Sequence, residues 1–154
     1  MGARWERCRL SCPTTMSSPK SLGLATIADL MEQDQRSIRR IVVADDNEDS
    51  AQSFAMLLSF SGHEVRIAHD GTAALDALRE FRPDVAFLDI GMPGLTGYEV
   101  AQAVRSEPWG REVTLIAVTG WGQPEDTQRA RKAGFDRHLV KPIDPAEVDH
   151  LLSN

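Results

Sequence analysis

Cysteine is scarce in this sequence: the 154 residues include only two, Cys8 and Cys12. Two thiols so close together cannot build a disulfide framework, and no histidine cluster beside them completes a zinc site. The apolar runs are short, whereas a membrane-spanning helix needs about 20 apolar residues. The first residues also lack the apolar segment of a secretory signal. We therefore expect a cytoplasmic protein that does not contact a membrane.

Basic residues are in short supply over most of the chain. The net charge is −6. Residues 1–40 carry seven basic and four acidic side chains (net +3), and residues 41–154 carry ten basic and nineteen acidic ones (net −9). Nucleic-acid phosphates need Lys and Arg to replace their counterions. We therefore expect no nucleic acid among the partners of this acidic domain.

The hydrophobic pattern divides the chain in two. Residues 1–37 lack apolar periodicity and contain Pro13 and Pro19, so we predict a disordered or partly helical N-terminal extension. In residues 38–154, short apolar runs alternate with amphipathic segments five times, which predicts (βα)5. Continuous apolar strands are typical of a parallel sheet covered on both faces. The predicted fold class is therefore α/β with a doubly wound sheet.

Chemically active side chains follow four of the five predicted strands. Asp45 and Asp46 follow strand 1, Asp89 strand 3, Thr119 strand 4 and Lys141 strand 5. In doubly wound sheets, ligands bind outside the carboxyl ends of the strands, where the strand order reverses. We therefore expect three carboxylates, one hydroxyl and one ammonium to lie together at one edge of the sheet.

Three carboxylates in one crevice repel each other, by about 4 kcal/mol per pair at about 4 Å and an effective dielectric of about 20. A raised pKa or a bound cation relieves this repulsion, and hard oxygen ligands suit Mg²⁺. Taken one at a time, these residues are equally well explained as helix caps, turn residues or solvated charges. Their coincidence at one edge favours a phosphoryl site with a carboxylate nucleophile.

The motifs around these residues have a recognisable arrangement. Residues 38–152 resemble the receiver domain of two-component response regulators. The resemblance implies a flavodoxin-like sheet with strand order 2-1-3-4-5 and a receiver domain over residues 38–154. The stretches that carry the resemblance are Ile41–Asn47, Asp89–Gly94 with Gly97, Val118–Thr119 and Val140–Pro142.

The resemblance also implies a role for each acidic residue. Asp89 accepts a phosphoryl group from a histidine kinase or a phosphotransfer protein. Asp45 and Asp46 organise the cofactor, Mg²⁺. Asp46 and Asp89 are the expected direct ligands, and the backbone carbonyl of Gly91 is the third. No organic cofactor is expected.

Further implied roles concern the response to phosphorylation. Thr119 binds a phosphoryl oxygen, Lys141 pairs with the phosphoryl group, and the Lys141–Pro142 bond is cis. The family usually has Tyr or Phe three residues before this lysine, where the present sequence has His138. We expect Thr119 and His138 to form the switch, with a smaller and titratable ring in place of the aromatic one.

Two functions that use phosphate chemistry fit these residues, whereas a third option, a binding module without it, leaves the convergence of Asp89, Thr119 and Lys141 unexplained. The first is a signalling receiver, not an enzyme with an external substrate, that switches the binding of a downstream protein whose identity the sequence does not indicate. The second is a phosphatase of the haloacid-dehalogenase type, which also uses an Asp nucleophile and Mg²⁺. Asp45 and Asn47 would then form its strand-1 signature, although a second Asp usually stands where Asn47 does, and no cap insertion is present.

Overall fold

The computed structural model describes residues 37–120 and 122–154, so the predicted extension lies outside it except for Ser37. Within this part of the chain, five strands alternate with five α-helices, and none of these helices is long and apolar enough to cross a membrane. A short 3-10 helix, Pro108–Arg111, precedes the fourth strand. The elements are β1 (Arg40–Ala44), α1 (Glu48–Phe60), β2 (Glu64–Ala68), α2 (Gly71–Phe81), β3 (Val85–Asp89), α3 (Gly97–Ser106), β4 (Thr114–Thr119), α4 (Pro124–Ala133), β5 (Arg137–Val140) and α5 (Pro145–Ser153).

The five strands form one parallel sheet in the order β2-β1-β3-β4-β5. Ala44 at the end of β1 is level with Ala68 of β2 and Leu88 of β3. The carboxyl ends of the central strands therefore meet at one edge. The order reverses between β1 and β3, which confirms the predicted doubly wound, flavodoxin-like fold.

Alternate residues of each central strand enter two separate cores. Val42 and Leu88 pack with α2, α3 and α4 on one face of the sheet. Val43 and Phe87 pack with α1 and α5 on the other face. Both faces of the sheet are therefore buried, which explains why the strands consist of continuous apolar runs.

Polar side chains fix where the helices begin at this edge. The Asn47 side chain accepts a hydrogen bond from the backbone N–H of Ser50, so α1 begins directly after the acidic pair. Thr96 and Glu99 form a reciprocal capping box at the start of α3. These caps satisfy backbone N–H groups that the helix leaves unpaired.

Gly97 allows α3 to begin directly beside the loop that follows β3. Its N–H donates to the carbonyl of Ile90, and a Cβ at this position would lie 2.6 Å from the backbone oxygen of Asp89. That separation is too short for any side chain, and the atoms that must yield belong to the backbone.

We expect Gly97→Ala to lower the free energy of unfolding by about 1–3 kcal/mol because of this overlap. Gly91→Ala is the matched control, since its Cβ would meet only the Asp89 carboxylate at 3.9 Å. Denaturant unfolding of both variants measures the difference. Equal stability of the two variants would contradict the close approach at Gly97.

Candidate functional site at the carboxyl edge of the sheet

Three carboxylates converge where β1 and β3 end. Asp45 and Asp46 follow β1 directly, and Asp89 is the last residue of the adjacent strand β3. Each of the three residues offers an oxygen that lies within 4.8 Å of the other two. Asp45 is 7% exposed, Asp89 is half-buried and Asp46 is exposed. The predicted acidic cluster is therefore present, with one member open to solvent.

Asp45 is held more firmly than Asp46. Its N–H donates to the carbonyl of Ala68 at 3.0 Å, and its Oδ1 accepts the N–H of Asn47 at 2.9 Å. Its Oδ2 accepts a hydrogen bond from Nζ of Lys141 at 2.8 Å. Both carboxylate oxygens of Asp45 are therefore engaged by the protein itself, whereas the Asp46 carboxylate faces solvent.

Lys141 joins Asp45 and Asp89. Its Nζ lies 2.8 Å from Asp45 Oδ2 and 3.2 Å from Asp89 Oδ2. The residue follows β5, and its N–H donates to the carbonyl of Thr119 on the neighbouring strand. The Lys141–Pro142 bond is cis, as the resemblance implied.

Electrostatics keep this lysine charged. Burial alone would lower the pKa of Lys141, but hydrogen bonds to Asp45 and Asp89, together with their negative charges, outweigh it and raise the pKa. The ammonium group therefore persists at neutral pH. It neutralises part of the repulsion between the two carboxylates.

For Asp89, by contrast, the effect of burial on the pKa outweighs that of the hydrogen bonds. Burial raises the pKa of this carboxyl group, while the N–H of Gly91 and the ammonium of Lys141 lower it and the charge of Asp45 raises it further. The result is a pKa above the ordinary value of an aspartate. Asp89 is thus a partly desolvated carboxylate, a condition that suits a nucleophile.

Thr119 and His138 complete the predicted set on the other side of Asp89. Thr119 is the last residue of β4 and is 6% exposed. Its hydroxyl oxygen lies 3.1 Å from Nε2 of His138 on β5. With Asp89, Gly91 and Lys141, Thr119 lines a cleft of about 290 Å³.

Two residues in this cleft were missed by the sequence reasoning. Tyr98 and Asp126 line it from the first turns of α3 and α4. Burial raises the pKa of Tyr98, and the charge of Asp126 raises it further against the opposing charge of Arg129. Arg129 lies over the Tyr98 ring at 4.5 Å. Both side chains come from helices, whereas the pattern of the sequence points to polar residues at strand ends.

A second, larger groove lies on the α1 side of the acids. It has a volume of about 620 Å³ and reaches Asp45 and Lys141 at one end. Most of its remaining lining is apolar, with Phe54 and Leu57 from α1 and Ile143 from the loop after β5. The acidic cluster is therefore accessible beside an apolar surface.

The oxygen atoms of this cluster suit a small, hard cation. Carboxylates with a backbone carbonyl in an open setting are typical Mg²⁺ ligands, since this ion keeps several waters. No cysteine or histidine belongs to the cluster in the described residues, which disfavours the softer transition metals. Asp46 and Asp89 each offer a carboxylate oxygen to such an ion, and the cluster therefore fits Mg²⁺.

Comparison with known proteins agrees with this geometry. The family described as the response regulator receiver domain matches residues 41–153. The polar-differentiation response regulator DivK of Brucella anthropi is 33% identical over 105 residues, which are 68% of this chain and 85% of DivK. The chemotaxis protein CheY4 of Vibrio cholerae superposes with a TM-score of 0.71 at 30% identity, covering 75% of this chain and 97% of CheY4.

A third similar structure is the receiver domain of the sensor histidine kinase PA1611 from Pseudomonas aeruginosa PAO1, which contains a magnesium ion in its active-site cleft. Its TM-score is 0.70 at 28% identity, with 75% of this chain and 95% of that domain covered. These matches do not support the alternative of a haloacid-dehalogenase-type phosphatase. The chain belongs to the family of response regulator receiver domains, which are phosphoaccepting signalling domains of two-component systems.

Proposed function

We propose that Asp89 is the phosphoacceptor of this receiver. The observation that carries the proposal is the position of Lys141, whose single ammonium contacts both Asp89 and Asp45 inside the acidic cluster. An ammonium held there compensates the negative charge that a phosphoryl group brings to Asp89. The other two acids serve the metal site, Asp46 as a direct ligand and Asp45 as the residue that organises it.

The reaction is a direct transfer between two side chains. A carboxylate oxygen of Asp89 attacks the phosphorus of a phosphohistidine on the donor protein, and the P–N bond breaks. An acyl phosphate forms on Asp89, and the imidazole nitrogen of the donor takes up a proton from water. Gly91 N–H and Lys141 Nζ orient the carboxylate, at 3.1 Å and 3.2 Å.

Mg²⁺ would be held by Asp46, Asp89 and the Gly91 carbonyl, and Asp45 would organise the site through its contact with Lys141. The ion supplies positive charge next to the transferring group. The receiver of PA1611, which contains magnesium in its cleft, supports this assignment. Thr119 binds a phosphoryl oxygen after transfer, and together with His138 it forms the switch.

The phosphodonor is a histidine kinase or a phosphotransfer protein. It approaches over the apolar groove that reaches Asp45 and Lys141, because that groove gives a protein surface direct access to the acids. The phosphorylated domain then binds a downstream protein and turns over no external substrate. The domain works in the cytoplasm, where kinases of this type present their phosphohistidine.

The decisive experiment is intact-mass measurement after incubation with Mg²⁺ and a small acyl phosphate. We expect a mass gain of one phosphoryl group that hydroxylamine removes, because hydroxylamine cleaves acyl phosphates. Addition of EDTA should prevent the gain. An unchanged mass, or a gain that resists hydroxylamine, would refute the proposed function.

We expect Asp46→Asn to weaken Mg²⁺ binding by about a hundredfold, since one of two direct carboxylate ligands is lost. Asp49→Asn is the matched control: it makes the same chemical change in the first turn of α1, outside the cluster. Calorimetric titration with Mg²⁺ measures both affinities. An Asp46→Asn affinity equal to that of the control would remove Asp46 from the metal site.

A further inference from the structure

His138 makes a contact that a hydrocarbon ring could not make. It lies on β5 opposite Ala117, and Thr119 lies opposite Val140, so the two side chains are diagonal neighbours on the same face of the sheet. Nε2 of His138 is 3.1 Å from the hydroxyl oxygen of Thr119. The imidazole therefore bonds directly to the hydroxyl that is expected to meet the phosphoryl group.

The direction of this hydrogen bond depends on the imidazole proton. A threonine hydroxyl has one proton to donate. When Nε2 carries no proton, the hydroxyl of Thr119 donates to His138 and its proton points away from Asp89. When Nε2 carries a proton, His138 donates to Thr119, and the hydroxyl proton can point into the cleft that Thr119 shares with Asp89 and Lys141.

We propose that His138 is a positioning residue that directs the hydroxyl proton of Thr119, and that phosphorylation of Asp89 selects the form with the proton on Nε2. This inference rests on the proposed function of Asp89. A chain then runs from Nε2–H of His138 to Oγ1 of Thr119, and from the Thr119 hydroxyl to a phosphoryl oxygen. Each bond in such a chain strengthens the next.

The charge of the phosphoryl group drives this selection. A hydroxyl that donates to an anionic oxygen forms a charge-assisted bond, about twice as strong as its neutral counterpart. That gain favours the Nε2–H form over the form in which Thr119 donates to nitrogen. His138 is only half-buried, so water can remove the proton from Nδ1 and supply the proton on Nε2 without a change in net charge.

The spectroscopic test observes the imidazole itself. The full chain with ¹⁵N-labelled histidine is compared before and after addition of Mg²⁺ and beryllium fluoride, a phosphoryl mimic that binds aspartate. We expect the Nε2 resonance of His138 to move from the range of an unprotonated nitrogen to that of an N–H nitrogen. In Thr119→Val, which removes the hydroxyl, the resonance should stay where it began.

A double-mutant cycle gives the energetic test. We expect His138→Phe to weaken beryllium fluoride binding by about fivefold to tenfold, because the ring stays and the donor is lost. In the Thr119→Val background the same change should have an effect below about twofold. His138→Gln, whose amide can donate, should restore part of the affinity.

These experiments distinguish the proposal that Asp89 is the phosphoacceptor from the proposal that His138 positions the hydroxyl proton of Thr119. Failure of the wild type to bind beryllium fluoride, or binding that survives Asp89→Asn, would overturn the assignment of Asp89. Binding that depends on Asp89 together with an unmoved Nε2 resonance would overturn only the role of His138. An equal loss from His138→Phe in both Thr119 backgrounds would do the same, because it would mean that the imidazole acts through something other than the hydroxyl.

Discussion

Asp89→Asn is expected to abolish phosphorylation of this domain, with residual labelling below about one hundredth of the wild-type level. The amide has almost the same shape as the carboxylate, but it is a poor nucleophile toward phosphorus. It also removes a ligand of the proposed Mg²⁺ site. Intact-mass measurement after incubation with Mg²⁺ and an acyl phosphate gives the labelled fraction directly.

The control for this variant is Asp76→Asn, which makes the same change at an exposed position of α2. It should take up one phosphoryl group as the wild type does. Undiminished, hydroxylamine-sensitive labelling of Asp89→Asn would mean that another carboxylate is the acceptor, and would point to Asp46 as the exposed member of the cluster.

The difference in folding stability between the wild type and Asp89→Asn depends on pH, because only the wild type has a carboxyl group at this position. The pKa of Asp89 is raised in the folded state, chiefly by burial. The folded state thus binds the proton more tightly, and its stability is fully present below the unfolded pKa and falls as pH rises through the folded pKa. With EDTA present, Asp89→Asn should unfold at a higher temperature than the wild type at about pH 7, and this advantage should vanish at about pH 3. A variant less stable than the wild type at neutral pH would contradict this sign.

Strand ends were the most informative part of the sequence. The apolar runs before Asp45, Asp89, Thr119 and Lys141 are continuous because both faces of the sheet are covered. A parallel sheet then places the carboxyl ends of all its strands at one edge, whatever the details of the helices. Periodicity and topology alone therefore bring these four residues together, and the structure confirms that arrangement.

Helix faces were less predictable. The spacing of Phe54, Leu57, Leu58 and Ser61 predicts that they share one face of α1, yet Leu57 is 38% exposed and Ser61 follows the last residue of the helix. The buried side chains of α1 are those of Ala51, Ala55 and Leu58. Small residues allow α1 to lie close to the sheet, and hydrophobicity scores undervalue them. Phe54 and Leu57 line the groove beside the acids instead, and Met56 and Phe60 are exposed.

Pairwise contacts within the site also could not be predicted from the sequence. Thr119 and His138 are nineteen residues apart, and their contact depends on the register between β4 and β5. A shift of one residue would turn His138 to the opposite face of the sheet. Motif spacing does not fix that register, so the hydrogen bond could only be observed in the structure.

Loss of the ammonium at Lys141 is expected to raise the Mg²⁺ affinity of the site and to lower its rate of phosphorylation. In Lys141→Met, Asp45 and Asp89 lose the positive charge that lies 2.8 Å and 3.2 Å away. The cluster becomes more negative, so Mg²⁺ should bind about tenfold more tightly. Phosphorylation should nevertheless slow by at least about tenfold, because nothing then compensates the charge of the arriving phosphoryl group.

A higher Mg²⁺ affinity together with slower phosphorylation would show that Lys141 compensates the charge of the phosphoryl group. A lysine that only stabilises the fold would not produce this combination. Lys132→Met, at an exposed position in the last turn of α4, removes the same charge away from the cluster and should change neither property. Calorimetry with Mg²⁺ and the rate of mass gain with an acyl phosphate measure the two effects on one preparation. If both fell together, Lys141 would be needed chiefly to hold the acids in place. If Mg²⁺ affinity rose and phosphorylation kept its rate, the ammonium would be a counter-charge for the empty site alone, and compensation of the phosphoryl group would have to come from the metal.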